Sequence, residues 1–251
     1  MFGKLGLIAI VALAIGAICV AAVFHFGGRA LHEQGFNIAW TDDCGPLKGG
    51  SASRDFPWNG GDTVDIDLAG NVHYRAGSGT QVRVTGDPAL LDHVRVDGGH
   101  VRLNCNLHTL WGHDRLDVTL PGRTFRAFTL AGSGTVTLEN IDQPDLRLTL
   151  MGAGDFQASG RTEHLSTQIM GAGDVRLGAL VAQHANVTIM GSGDTEIAPV
   201  EDAHVTIMGS GDVTLRSEPK SLHTMIMGSG SIVHAASVSP PVQPTGPDNS
   251  R

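Results

Sequence analysis

The feature that most constrains this chain is a Gly-x-Gly phrase that recurs at a near-constant interval between Phe125 and Ala235. Four of its six copies are followed by Asp. The paired glycines are Gly132 and Gly134, Gly152 and Gly154, Gly171 and Gly173, Gly191 and Gly193, Gly209 and Gly211, and Gly228 and Gly230. The first glycine of the pair thus returns roughly every 19 residues. An interval this regular, with no helical pattern inside it, predicts a stacked solenoid.

The residues that flank each Gly-x-Gly alternate as in a β-strand. The position two before the first glycine is always Leu or Ile, and the position three before it is Thr in four copies. One side of each strand is therefore apolar. Because stacked strands lie about 4.8 Å apart, each glycine falls above its own copies, where a side chain would clash or require a positive φ. We predict an all-β chain, a parallel β-solenoid (β-helix) of about 19-residue coils, with the glycines as structural corners.

Beyond residue 26, the chain divides by pattern into four segments. Residues 27–57 are interpreted as a linker and entry segment, and residues 58–124 as an N-terminal β block. Residues 125–236 are the Gly-x-Gly-Asp repeat solenoid, and 237–251 form a Pro-rich tail predicted to be disordered. Within the β block, Asp97-Gly98-Gly99 has the chemistry of a hairpin turn. No segment beyond Phe26 has a convincing helical period.

Residues 1–26 decide the expected compartment. The apolar run from Leu5 to Phe24 contains no charged residue and is long enough to cross a bilayer as a transmembrane helix. A cleaved signal peptide, ending near Val20-Ala21-Ala22, is the competing interpretation, but its apolar core is usually only about 7–15 residues long. Either interpretation sends the remainder across a membrane. Cys44 and Cys105 then lie in an oxidising compartment, where two cysteines often form a disulfide. Alternatively, Cys105 is unpaired and packs as a small buried apolar residue.

Composition and motifs exclude several classes of function. The formal net charge of −8, without a basic stripe, argues against nucleic acid as a partner. The chain has no Gly-x-Ser-x-Gly elbow, no His-Glu-x-x-His and no phosphate-binding loop. We therefore expect no enzyme activity and no cofactor, and no catalytic residue is assigned.

The aspartates that follow the corners are the most evident candidate site. Asp155, Asp174, Asp194 and Asp212 should stack in one column, where like charges need hydrogen-bond donors or a cation. We expect each carboxylate to accept N–H groups of its own turn. A Ca²⁺ site is the less favoured alternative, because the repeats of calcium-binding rolls differ in period and glycine spacing.

Methionine and histidine also recur along the repeats. Met151, Met170, Met190, Met208 and Met227 directly precede the corners. Strict alternation turns them outward, but we favour a corner that rotates them into a core-filling or partly buried position. His164, His184, His204 and His223 lie seven or five positions before the glycine, so we predict solvent-facing positions that are out of register. Zinc between His108 and His113, which flank Trp111, lacks a supporting Cys/His spacing.

These residues together resemble the GIN-domain family, named for the heads of autotransporter adhesins. The resemblance extends over roughly Ile38 to Ala235 and rests on the turn from Asp97 to Leu103 and on the serial Gly-Ser-Gly-Asp corners. Family members usually carry Ser directly before the corner, where this chain carries Met. The resemblance implies a protein of the bacterial envelope. It does not imply an activity, because none is established for the family as a whole.

We therefore expect a non-catalytic, membrane-anchored, extracytoplasmic β-solenoid that is a binding or structural, adhesin-like module of the bacterial cell envelope. The expected location is periplasmic, or secreted after signal cleavage. The expected partners are the membrane, through the N-terminal helix, and an envelope protein or glycan, with a homo-oligomer left open. Two alternatives remain: a polysaccharide-acting β-helix enzyme that uses the aspartate column, and a calcium-stabilised repeat protein.

Overall fold

The computed structural model describes residues 44–77, 79–105 and 116–235, and within these ranges nearly all regular structure is β. One short helix, α1, spans Pro88–Leu91. The strands are β1 (Ala52–Pro57), β2 (Thr63–Asp67), β3 (Gly70–Arg75), β4 (Gln81–Gly86), β5 (Val94–Asp97), β6 (His100–Leu103), β7 (Leu116–Thr119), β8 (Ala127–Leu130), β9 (Thr135–Gly152), β10 (Asp155–Gly171), β11 (Val175–Gly191), β12 (Thr195–Gly209), β13 (Val213–Leu215), β14 (Ser221–Gly228) and β15 (Ile232–His234). The predicted all-β fold is confirmed, as is a β-solenoid, of about 5 turns.

The solenoid is built from long strands that pair in parallel with their own copies. β9 pairs with β10, β10 with β11, and β11 with β12, so each corner glycine lies beside the next one. β13 and β14 complete the following coil on β12, and β15 pairs with β13. The return segment of each coil also pairs with its neighbours, and the register shifts near Ala158 and between Leu177 and Val181. These irregularities absorb the small differences in coil length.

The core is a set of apolar columns inside the stack. The column two positions before the corner is at most 1% exposed from Leu130 through Leu150, Ile169 and Ile189 to Ile207. Aromatic rings fill the N-terminal end, where Phe125 and Phe128 pack edge to face and Tyr74 contacts both. The Tyr74 hydroxyl donates to the Arg123 carbonyl at 2.9 Å, so its one polar atom is satisfied.

The N-terminal β block contains an additional coil of the same solenoid. β2 pairs in parallel with β8, and β3 pairs in parallel with the first part of β9. Between them, Leu68-Ala69-Gly70 lies against the first repeat: a Cβ on Gly132 would lie 2.3 Å from the Leu68 carbonyl oxygen, and one on Gly134 would lie 1.9 Å from that of Gly70. This corner precedes Gly132 by several repeat intervals in sequence, because the chain between β3 and β8 makes an excursion.

That excursion covers the N-terminal end of the stack. β4 pairs antiparallel with β7 and β1, and β7 pairs in parallel with β3. The hairpin predicted at Asp97-Gly98-Gly99 is present, since β5 and β6 are antiparallel, and β6 pairs in parallel with β2. The helix α1 was not predicted, although Pro88 at its first turn and the N-cap Asp87 are recognised start signals.

A disulfide joins the start of the described chain to the hairpin region. Cys44 and Cys105 are bonded at 2.01 Å, with their Cα atoms 5.0 Å apart. Both residues are buried, so Cys105 also belongs to the apolar core. No helix within the described ranges is long and apolar enough to span a bilayer. The predicted N-terminal helix and the predicted disordered tail lie outside the described residues.

Candidate functional site: the outer surfaces of the stack

The glycine corners are tightly closed against one another. A Cβ on Gly191 would lie 2.0 Å from the carbonyl oxygen of Gly171, and one on Gly209 would lie 2.0 Å from that of Gly191. Both glycines also have a positive φ, 152° and 150°. In four of the corners the residue between the glycines donates its N–H to the corner of the preceding coil, as Ser192 does to Gly171 at 3.0 Å. These glycines therefore lie where neighbouring coils are too close for a side chain, as expected for structural corners.

The aspartate column forms a ladder between coils. The Oδ1 atom of Asp155 accepts the N–H of Asp174 at 3.0 Å, and that of Asp194 accepts the N–H of Asp212 at 2.9 Å. Asp174 makes the corresponding, longer bond to Asp194 at 3.4 Å. We expected each carboxylate to accept N–H groups of its own turn, and this expectation is wrong for these bonds. Parallel stacking places the N–H of the next coil directly beside the carboxylate, so the donor comes from that coil.

A cation is available to this column from the protein itself. Arg176 lies 2.8 Å from Asp174 Oδ2 and 3.9 Å from Asp155 Oδ2. The last member, Asp212, accepts both the N–H and the hydroxyl of Ser231, at 2.7 and 2.8 Å. Donors of the protein thus occupy the Oδ1 atoms that a calcium ion would require. Within the described ranges, no three His, Cys, Asp or Glu side chains converge as metal ligands would.

The methionine column faces outward. Met151, Met208 and Met227 are 40%, 36% and 53% exposed, and Met170 and Met190 are partly exposed. The expectation that the corner rotates these side chains into the core is therefore wrong, although Met170 and Met190 are partly buried as expected. The alternation of the strand continues up to the corner, because the glycines make the bend after the methionine.

The methionines adjoin a second outward column, and we call the two together the Met–Thr stripe. Its members are Met151, Met170, Met190, Met208 and Met227 together with Thr149, Gln168, Thr188, Thr206 and Met225, which pair in register from coil to coil. None of these ten side chains is charged. At about 4.8 Å per coil, the stripe is about 19 Å long.

Other parts of the outer surface of the solenoid carry charged side chains. Their side chains pair between neighbouring coils: Arg161 contacts Asp142 through two bonds of 2.9 Å, and Arg216 contacts Glu196 at 2.8 Å. Lys220 contacts Glu201 at 2.7 Å. Hydrogen bonding from the Arg161 guanidinium lowers the pKa of the Asp142 carboxyl below its ordinary value. Exposed pairs of this kind contribute little stability, but they contrast with the uncharged stripe.

The histidines form two stacked pairs. The rings of His164 and His184 are 5.0 Å apart, and those of His204 and His223 are 4.8 Å apart. The expectation that the histidines are out of register holds between the pairs and is wrong within each pair. His184 also hydrogen-bonds Asp202 beside an open groove of about 530 Å³, lined by Asp142, Gln143, Pro144, Arg161, Thr162, Glu163, Gln183, His184 and Glu201. His108, Trp111 and His113 lie outside the described residues.

A buried carboxylate in the N-terminal block was missed by sequence reasoning. Asp87 is 5% exposed and accepts N–H groups from Gly49 at 2.7 Å, Lys48 at 3.3 Å and Ala89 at 2.7 Å. Burial alone would raise its pKa, but these three donors outweigh burial and the pKa of Asp87 is lowered. Asp87 thus ties the entry segment to α1. The Asp-Pro pair that begins α1 was the available signal.

Residues 62–219 match the family described as "Putative auto-transporter adhesin, head GIN domain". That range covers more than half of the chain. The chain belongs to the GIN-domain family. The predicted resemblance is therefore confirmed. Comparison with curated protein sequences gives no match.

Three solved structures illustrate what the chain is similar to. A putative adhesin from Bacteroides fragilis is 17% identical, with a TM-score of 0.60, and the match covers 75% of this chain and 99% of that one. A putative lipid binding protein from Parabacteroides distasonis is 16% identical with a TM-score of 0.44, covering 75% and 98%. A putative adhesin from Parabacteroides merdae is 14% identical with the same TM-score, again covering 75% and 98%. At these identities the likeness to the first structure concerns the fold alone.

Proposed function

We propose that this GIN-domain protein is a non-catalytic binding module of the bacterial cell envelope that contacts a partner protein through the Met–Thr stripe. The observation that carries this proposal is the charge contrast between surfaces. Ten stripe side chains on five coils carry no charge, while paired charges lie elsewhere on the outer surface of the solenoid. The adhesin family to which the chain belongs supports a binding role.

The chemistry of the stripe suits a protein partner. Charged residues are depleted and methionine is enriched at the centres of protein interfaces. Methionine adapts its shape to different apolar surfaces, and a rigid solenoid holds the column in place. A glycan is the second candidate, because Thr188, Thr206 and Gln168 offer hydroxyl and amide groups that can bond to sugars.

The location forms a further part of the proposal. The apolar run from Leu5 to Phe24 would anchor the protein in a membrane, with the solenoid on the extracytoplasmic side. The Cys44–Cys105 disulfide supports an oxidising compartment. The intact mass of the mature protein tests the anchor: we expect a mass that includes the run, and loss of about the first 22 residues would instead indicate a cleaved signal peptide.

The structure offers little to either alternative function. Acid and base catalysis needs neighbouring carboxylates in unlike environments, whereas members of the aspartate column have repeated and similar partners. Calcium would have to displace N–H donors from Asp155 and Asp194. We therefore expect a chelator to leave the melting temperature unchanged, and a large decrease would favour calcium-dependent stability.

The binding role is tested by site-specific photo-crosslinking in intact cells. A photoreactive residue replaces Thr188 in the stripe or, as the matched control, Thr137, which is also a partly exposed outward threonine. We expect one discrete protein adduct from position 188 and none from position 137. Met190→Glu should abolish the adduct without unfolding the chain, because Met190 faces outward.

Three results would contradict the proposal. Equal crosslinking from both positions would show that the stripe has no special role. Retention on a glycan panel that is lost in Met190→Glu, without a protein adduct, would replace the protein partner with a glycan. Cleavage of any glycan on that panel, abolished by Asp→Asn substitution, would overturn the non-catalytic assignment.

A further inference from the structure

The last coil of the solenoid has an open end. β14 pairs with β12 and β15 pairs with β13, and in the described part of the chain no strand pairs with their opposite edges. The inner column is consequently uncovered here: Ile226 is 42% exposed, whereas Ile207, one coil earlier, is fully buried. Four of the seven exposed large hydrophobic residues of the described chain lie in this coil, namely Met225, Ile226, Met227 and Val233.

This end also lacks the usual protection of an edge strand. Residues 221–235 contain no Asp, Glu, Lys, Arg or Pro. Ser231 stands where the preceding coils carry Asp. The edge strands at the other end differ: β1 contains Arg54, Asp55 and Pro57, and β5 contains Arg95 and Asp97. Charges and prolines of this kind block strand pairing, so the two ends are built differently.

The chain's own tail is poorly suited to cover this edge as a strand. The repeat interval is about 19 residues, so the next copy of β14 would fall on positions 240–247. Half of those positions are proline: Pro240, Pro241, Pro244 and Pro247. Proline has no N–H to donate, so this segment cannot extend the ladder in register.

We propose that a second copy of this chain covers the open end, with β14 pairing antiparallel to β14 of the other copy. The charge distribution favours a second copy, because two molecules of net charge −8 can approach closely only where both are locally neutral. The N-terminal end is covered, so the stack is tail to tail and closes at two copies rather than forming a filament.

The two-fold arrangement leaves the Met–Thr stripe free. Pairing uses the backbone edge of β14 and covers its inner column, whereas Met225 and Met227 project from the outer face. A rotation about the normal to this sheet keeps both outer faces on one side. The two stripes then form one surface of ten coils. The dimer is inferred independently of the proposed partner and can be tested without it.

Sedimentation velocity of the full-length chain, in mild detergent, provides the first test. We expect a dimer for the wild-type chain and a monomer for Thr224→Lys. Thr224 belongs to an inner column, so the lysine can reach solvent through the open end of a monomer but would be buried in the dimer. Thr214→Lys is the matched control: it makes the same change on an outward position of β13 and should remain dimeric. The dissociation constant should rise on the order of 100-fold in Thr224→Lys alone.

Disulfide crosslinking provides an independent readout if Thr224→Lys destabilises the last coil. Position 225 is near the centre of β14 and therefore near the two-fold axis when the two whole strands pair. In a Cys19→Ser background, Met225→Cys should form a covalent dimer on mild oxidation. Ser51→Cys, an exposed position outside the last coil, should not. A wild-type monomer at all concentrations would overturn the proposal. So would a dimer that persists in Thr224→Lys, or crosslinking that is equal from positions 51 and 225.

Discussion

The corner of the solenoid makes a quantitative prediction for Gly191→Ala. The added Cβ would lie 2.0 Å from the carbonyl oxygen of Gly171, and real Cβ atoms essentially never approach closer than 3.0 Å. The two coils must therefore separate by about 1 Å at this point. Ser192 donates to the same oxygen at 3.0 Å, and a displacement of that size would lengthen the bond beyond hydrogen-bonding range.

Two terms set the expected loss of stability. The Gly171 carbonyl, which is partly buried, costs up to about 3 kcal/mol when it is left without its donor. Alanine held at the φ of 152° adds about 1–3 kcal/mol, because this region is almost exclusive to glycine. We expect a decrease of about 4 kcal/mol in the free energy of unfolding, a large part of the roughly 5–15 kcal/mol typical of a domain. Gly191→Val should be at least as severe.

Urea unfolding of the full-length chain measures this difference. The matched control is Ser192→Ala, one position along in the same corner, where the side chain is exposed and the change should stay within about 0.5 kcal/mol. If the free energy of unfolding of Gly191→Ala lies within about 1 kcal/mol of the wild-type value, the coils must separate easily at the corner. The reasoning from close stacking would then fail.

Three further predictions concern stability. Reducing the Cys44–Cys105 disulfide, which closes a loop with a sequence separation of 61, should lower the free energy of unfolding by about 4 kcal/mol in denaturant titrations. Thr167→Val should raise it by about 1 kcal/mol, because the buried Thr167 hydroxyl has no hydrogen-bond partner among the described residues; destabilisation would reveal one. Since the folded-state pKa of Asp87 is lowered, its stabilisation is present above the unfolded pKa and is lost as the pH falls through the folded value. Melting temperatures below about pH 4 should therefore fall less steeply in Asp87→Asn than in the wild-type chain.

The repeats themselves could be predicted from sequence because each coil imposes the same geometric demand. Glycine is required wherever a carbonyl oxygen of the neighbouring coil occupies the space of a Cβ, and that requirement recurs at each bend. The apolar alternation before each corner then identifies the buried face, and the Leu and Ile column is almost fully buried as expected.

The coil formed by β2 and β3 was not predicted, because the long segment between β3 and β8 separates it in sequence from the repeats. Leu68-Ala69-Gly70 carries one of the two corner glycines, and its long separation from Gly132 in sequence breaks the period. Period-based reasoning detects coils that follow one another in sequence and cannot detect one that is completed by a distant strand.

The aspartate and methionine columns show why position in a repeat does not by itself settle a side chain's role. The alternation correctly placed Met190 on the outer phase, but apolar character suggested the core, and the structure follows the alternation. The surfaces of soluble proteins rarely expose contiguous apolar patches, so an exposed methionine column indicates an interaction site. Aspartate, by contrast, is explained entirely by the stack, because each carboxylate receives an N–H from the next coil. The column that the fold explains is therefore a poor candidate for a ligand site, and the column that the fold leaves exposed is the better one.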